Sequence, residues 1–165
     1  MKIAAVADAA RANAALIERF YSAFARRDVE TMLSCYRPDV VFCDPVFGTL
    51  SGPQVCAMWR MLNARAVDLA IEFDNVAATE RDGSAHWEAR YTYTATGRPV
   101  HNRIDASFEF RDGSIANHVD RFSLWRWAAM ALGAKGALLG WLPPVRSAIR
   151  TRAAKGLAAY IATNP

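Results

Sequence analysis

HNRIDASFEFRDGSIANHVDRF, residues 101–122, reads as two strands joined at Asp112-Gly113, a dipeptide that favours a tight hairpin turn. Side chains alternate across a strand, so His101, Arg103, Asp105, Ser107 and Glu109 share one face of the first strand. Ile104, Ala106, Phe108 and Phe110 share the other. A two-residue turn pairs residue 111 with 114 and therefore Asp105 with Asp120, Ser107 with His118 and Arg103 with Phe122. A four-residue turn at Thr96–Pro99 then pairs Arg90 with Asp105 and Thr92 with Arg103. The predicted row Arg90–Asp105–Asp120 places two carboxylates side by side, with His118 on the same face. Like charges that close cannot both ionise cheaply unless a cation or a shared proton compensates. The row depends on register: a three-residue turn would move Asp120 to the opposite face.

Outward from this hairpin, the chain divides into helices first and strands later. Leu16, Ile17, Phe20, Tyr21 and Phe24 recur at helical spacing, predicting a helix over about 9–26. Asp28 is placed to cap a second helix carrying Val29, Met32, Leu33 and Tyr36, ended by Pro38. VVFC is a short strand that leads into Asp44-Pro45. Pro53 suits the first turn of a third helix whose buried stripe is Val55, Met58, Trp59 and Leu62. Four strands follow, at roughly 68–79, 85–95, 100–111 and 114–124. This order predicts an α+β fold with an antiparallel sheet.

The 165 residues suffice for one domain, and the apolar content is ordinary. Asp8 and Arg11 interrupt the apolar start, which argues against a signal peptide. Cys35, Cys43 and Cys56 are odd in number and lack metal-ligand spacing, so reduced thiols and a cytoplasmic location are expected. The net charge of +4 hides an asymmetry. Residues 1–120 hold 13 Lys/Arg against 16 Asp/Glu, whereas residues 121–165 hold seven Lys/Arg and no acid. That basic tail reads as helical pieces broken at Gly133, Gly136, Gly140 and Pro143-Pro144, with an apolar stripe at Val145, Ile149, Ala153, Leu157 and Ile161. A helix closing the fold with Trp125, Trp127, Leu138 and Trp141 is preferred over one docking on a membrane. No phosphate loop or nucleic-acid-binding motif is found, and no nucleic-acid partner is expected.

The segment RRDVETMLSCYRPDVVFCDPVFGTLSGPQVCAMW, followed by strands ending in FEFRDGSIANHVDRFSLW, resembles the ketosteroid isomerase-like, or SnoaL-like, branch of the nuclear transport factor 2-like superfamily. The resemblance implies a cone-shaped curved antiparallel sheet wrapped around about three N-terminal helices. It assigns residues 1–126 to the cone and 127–165 to an extra C-terminal helical segment packed on the same domain. It implies a pocket for a small apolar organic molecule, no cofactor and a homodimer. It turns the polar row of the opening hairpin into the cone and leaves the apolar row as the subunit contact, although hydrophobic pattern alone gives the reverse. By resemblance Asp44 is the proton-shuttling base, Asp105 the protonated hydrogen-bond donor, and Asp120 with His118 a proton relay. Arg90 or Arg103 would hold an anionic or enolate oxygen. Phe20 stands where ketosteroid isomerases carry an essential tyrosine, with Tyr21 beside it. Phe20, Tyr21, Trp59 and Phe122 complete the expected substrate-binding set. The implied reaction is an isomerisation, cyclisation or dehydration alpha to a carbonyl, and the alternative is a non-catalytic ligand-binding or dimeric interaction domain. A metal held by Asp105, Asp120 and His118 is not favoured.

Overall fold

The computed structural model describes residues 2–164, with side chains from residue 4 onward. Helix α1 (Lys2–Ala25) starts earlier than its apolar stripe suggests and lays Ile17, Phe20, Tyr21 and Phe24 against the sheet. Asp28 caps α2 (Val29–Leu33), its side chain accepting from the Thr31 backbone N–H. Tyr36 and Pro38 are not at the end of that helix. They open strand β1 (Tyr36–Asp44), whose pairing is irregular between Tyr36 and Val41, so the proline interrupts no regular ladder. A short β2 (Gly48–Ser51) pairs antiparallel with β1. Pro53 opens α3 (Pro53–Arg65), which buries Val55, Met58 and Trp59.

The remaining strands are β3 (Ala70–Ala78), β4 (Asp82–Tyr93), β5 (Arg98–Arg111) and β6 (Ser114–Arg121). All six form one curved sheet in the order β2-β1-β6-β5-β4-β3. The sheet is not wholly antiparallel, because β1 runs parallel to β6. That pairing closes the chain's first strand onto its last and sets Cys43 opposite Val119. The α+β architecture is the expected one, with helices on the concave face and the apolar core between.

The registers differ from the expected ones in two ways. The β4–β5 turn is four residues long but spans 94–97, so Tyr93 meets Arg98 and Arg90 meets His101. Arg111 does meet Ser114 across Asp112-Gly113, but Ala116 is then a bulge: Phe110 faces Ile115 while Glu109 faces Asn117. The bulge slips the rest of β6 by one residue, so Asp120 lies opposite Ala106 and Asp105 opposite Arg121. Asp105 and Asp120 therefore lie on opposite faces. Ile104, Ala106 and Phe108 face the core, and the polar residues of β5, Arg103, Asp105 and Glu109, face outward, while His118 and Asp120 of β6 face inward. Hydrophobic alternation gave the right face for β5, and the orientation implied by the resemblance is reversed here.

The C-terminal segment forms α4 (Leu124–Leu132), α5 (Ala134–Leu139) and α6 (Pro143–Thr163). Ser123 caps α4 through the Arg126 N–H, and Gly133 at φ 68° turns the chain into α5. The two helices press together at Gly136, where an added Cβ would sit 1.9 Å from the Ala128 carbonyl oxygen. Gly136→Ala is expected to lower stability by about 1–3 kcal/mol, against the usual gain for such a change in a helix. An unchanged or higher melting temperature would contradict this close approach.

Candidate active site

Between α3, the sheet and α6 lies a cavity of about 560 Å³. Its walls are mostly apolar: Phe24, Phe42, Met58, Trp59, Trp87 and Phe122 are among them. Two carboxylates, Asp44 and Asp120, enter it from adjacent strands. The parallel β1–β6 register explains their meeting, since each follows one residue after the Cys43–Val119 pair.

Asp44 ends β1, and Pro45 after it has no N–H to donate. The Asp44 Oδ1 instead accepts from the backbone N–H groups of Val46 (2.9 Å) and Phe47 (2.5 Å), closing a turn on its own side chain. Burial in the apolar cavity pushes its pKa up to about 7. The backbone donors pull the other way, and the nearby Asp120 carboxylate adds to the rise.

Asp120 is buried, and its Oδ1 accepts from the Trp87 indole (3.1 Å) and from His118 Nε2 (3.0 Å). His118 is fully buried behind it, wedged among Phe20, Phe42 and Phe108. Its Nδ1 lies 2.7 Å from the Tyr36 hydroxyl, which also accepts from the Trp59 indole at 3.1 Å. One assignment of the hydrogens gives every donor on this chain an acceptor. Tyr36 receives the indole N–H and has one hydrogen to give, so it donates to Nδ1 and leaves Nε2–H to donate to Asp120. Burial raises the Tyr36 pKa well above the ordinary phenol value, which keeps that hydrogen in place. His118 thus holds Asp120 from behind and does not itself line the cavity.

The other expected site residues divide. Trp59 and Phe122 line the cavity. Phe20 and Tyr21 are fully buried in the core beneath it and are not part of its wall. Tyr21 stacks on Phe73, and its buried hydroxyl has no hydrogen-bond partner among the described residues. Asp105, Arg90 and Arg103 are on the outer sheet face, for the register reasons given above. Asp105 has 81% of its side chain exposed and accepts from His86 Nδ1 at 2.8 Å. Arg90 pairs with Glu72 and Glu88, and Arg103 lies 3.3 Å from Glu88. His101 also reaches Glu88, so this face is a two-signed charged network and not the apolar contact surface the resemblance implied.

Several cavity residues carried no signal in the sequence. Tyr91 on β4 accepts from the Trp127 indole at 2.8 Å, and its own hydroxyl hydrogen has no acceptor among the described residues. Asn102 of β5 also lines the wall. Arg65 of α3 and Arg152 of α6, both solvent-exposed, form part of the open side of the cavity, and Arg65 donates to the Gly156 carbonyl. Helix α6 adds Val145, Ile149 and Ala153 to the wall, three members of its predicted stripe. Trp127 is the only one of the four expected closing residues in the wall; Trp125, Leu138 and Trp141 are exposed. Among the described residues no cluster of His, Cys, Asp or Glu is arranged to hold a metal ion.

Solved structures with this fold are numerous. A nuclear transport factor 2-like protein of unknown function from Burkholderia pseudomallei is 21% identical, over 73% of this chain and 97% of its own, with a TM-score of 0.65. An LEH-like epoxide hydrolase from M. tuberculosis is 19% identical, over 82% of this chain and 97% of its own, with a TM-score of 0.61. A protein with a ketosteroid isomerase-like fold from Catenulispora acidiphila, crystallised with trimethylamine, is 13% identical, over 70% of this chain and 91% of its own, with a TM-score of 0.62. At these identities the likeness is one of fold. Among curated proteins none matches the chain. The SnoaL-like domain matches residues 17–118, which runs from the first helix to the histidine behind Asp120 and covers more than half the sequence, and the chain belongs to that family.

Proposed function

We propose that the protein is a cofactor-independent acid/base enzyme acting on a small apolar molecule alpha to a carbonyl, as an isomerase, cyclase or dehydratase. The observation that carries this reading is the pair Asp44 and Asp120 at one apolar cavity, with Asp44 held at about 7. A carboxyl poised near neutrality is half ionised there and can both take and return a proton. Asp44 removes the proton alpha to the carbonyl, and the enolate oxygen accepts a hydrogen bond from the Tyr91 hydroxyl, which keeps its proton. Asp44 then returns the proton at the same or another carbon. Burial keeps the Asp44 pKa near neutral pH, and the charge of Asp120, held by His118 and Trp87, adds to that rise. Apolar walls exclude water from the enolate. Arg65 and Arg152 at the open side suit a substrate with an acidic end. A homodimer meeting through the charged outer face belongs to the same proposal and is read from the sedimentation of the same preparations.

The test is deuterium uptake by β-tetralone, an apolar enolisable ketone, followed by proton NMR. The wild-type chain is expected to exchange the alpha protons faster than buffer. Asp44→Asn and Asp120→Asn should each reduce that rate on the order of 10²-fold. Binding of the ketone with exchange no faster than in Asp44→Asn would leave a ligand-binding domain without chemistry.

A further inference from the structure

The corner made by α4, α5 and the turn into α6 presents four large apolar side chains to solvent: Trp125 (47% exposed), Leu138 (72%), Leu139 (47%) and Trp141 (62%). They are contiguous. The Trp125 indole N–H donates to the Ala137 carbonyl, and its ring lies against Gly140; the Trp141 indole N–H donates back to the Leu138 carbonyl. The comparably exposed hydrophobics elsewhere among the described residues, Val6, Val41, Val67 and Ile161, are scattered. Both indoles have their one donor satisfied inside the protein, so the exposed rings ask nothing of water. The packing of α4 on α5 at Gly136 fixes the corner as a rigid platform.

Its electrostatic setting is one-sided. Exposed Arg126 adjoins Trp125, exposed Lys135 lies on α5, and exposed Arg146 sits in the first turn of α6. None of these three has a carboxylate within ion-pair distance among the described residues. Residues 122–165 contain no Asp or Glu at all. Tryptophan and leucine surrounded by Lys and Arg without acids is the composition that settles at the headgroup boundary of an anionic bilayer. No helix among the described residues is long and apolar enough to cross a membrane, so contact would be at the surface.

We propose that this α4–α5 corner docks the protein on anionic phospholipid surfaces. The docking element is the corner and not the long basic helix α6, whose apolar stripe is spent on the cavity. Helix α4 belongs to both features, since its Trp127 and Leu132 line the cavity while its Trp125 is part of the corner. The site lies beyond residues 17–118, the part that matches the family, and stands whether or not the cavity is catalytic.

The experiment is co-sedimentation of the full chain with vesicles of phosphatidylcholine containing about one quarter phosphatidylglycerol, and with phosphatidylcholine alone. The chain is expected to pellet with the anionic vesicles and to be released by salt, since screening shortens the reach of surface charge. Leu138→Ser with Trp141→Ser should weaken partitioning by at least about tenfold, as should Lys135→Glu with Arg146→Glu on the anionic vesicles. All four positions are exposed, and circular dichroism of both variants should match the wild-type chain. Failure to pellet, or pelleting that neither variant changes, overturns the proposal. Loss of a self-associated species in Leu138→Ser with Trp141→Ser, without vesicle binding by the wild-type chain, would also overturn it and make the corner a contact between copies.

Discussion

His118→Ala is expected to destabilise the protein by roughly 3–5 kcal/mol, the combined cost of taking a donor from a buried carboxylate and opening a void beside it. For a chain of this size that lowers the melting temperature by about 10 °C. Three losses coincide. Asp120 keeps only the Trp87 indole on its Oδ1, the Tyr36 hydroxyl loses the acceptor of its hydrogen, and a void opens among Phe20, Phe42 and Phe108. Two further variants separate these causes. His118→Phe refills the space but supplies no N–H, so most of the loss should remain. Asp120→Asn in the His118→Ala background removes the stranded charge and should recover part of it, a non-additivity that a double-mutant cycle measures. Full stability in His118→Phe would show that packing alone explains the residue and would remove the polar chain as the support of Asp120.

The hairpin of β5 and β6 shows what the sequence could reveal. The apolar alternation of Ile104, Ala106 and Phe108 identified the inner face of β5, and Asp112-Gly113 identified the hairpin with its correct end pair, Arg111 with Ser114. Ala116 is where reading failed. A bulge adds one residue without any composition of its own, since an alanine fits either register, and everything beyond it changes face. That one residue separated Asp105 from Asp120. Helical spacing drew Tyr36 into α2, because the residue after a short helix shares its periodicity until a strand partner claims it. The polar chain through Trp59, Tyr36, His118, Asp120 and Trp87 joins α3, β1, β6 and β4, so no single segment carries its pattern. Asp44 and Asp120 were legible as candidates because each stands in a recognisable local motif. Their meeting was not, because it depends on a parallel pairing between strands some 70 residues apart in the chain. In the extension the stripe of α6 was legible, but which tryptophans faced inward depended on the α4–α5 packing, which the glycines permit without specifying.

Asp44→Asn should make the protein more stable at alkaline pH and leave it nearly unchanged at acid pH. The Asp44 pKa is about 7 in the folded chain against an ordinary 3.8, so the fold favours its neutral form. A group raised in this way contributes stability that is fully present below the unfolded value and is lost as pH rises through the folded one. Between about pH 4 and pH 7 the unfolded chain ionises at this residue while the folded one resists. The wild-type chain therefore loses on the order of a few kcal/mol over that window, and the loss levels off above it. Asparagine is neutral throughout and still offers an oxygen to the Val46 and Phe47 N–H groups. The difference in melting temperature between Asp44→Asn and the wild-type chain should then open from near zero at acid pH to several degrees at alkaline pH. Groups that titrate alike in both chains cancel in this difference. A gap that does not change with pH would mean that burial does not hold Asp44 neutral, and the case for it as a proton shuttle would go with it. Asp120→Asn provides the internal check, because part of the rise comes from the Asp120 charge. In that background the window should close at a lower pH. The instability that Asp44 brings at neutral pH and its readiness to exchange a proton are then one property of the cavity, measured once by melting and once by exchange.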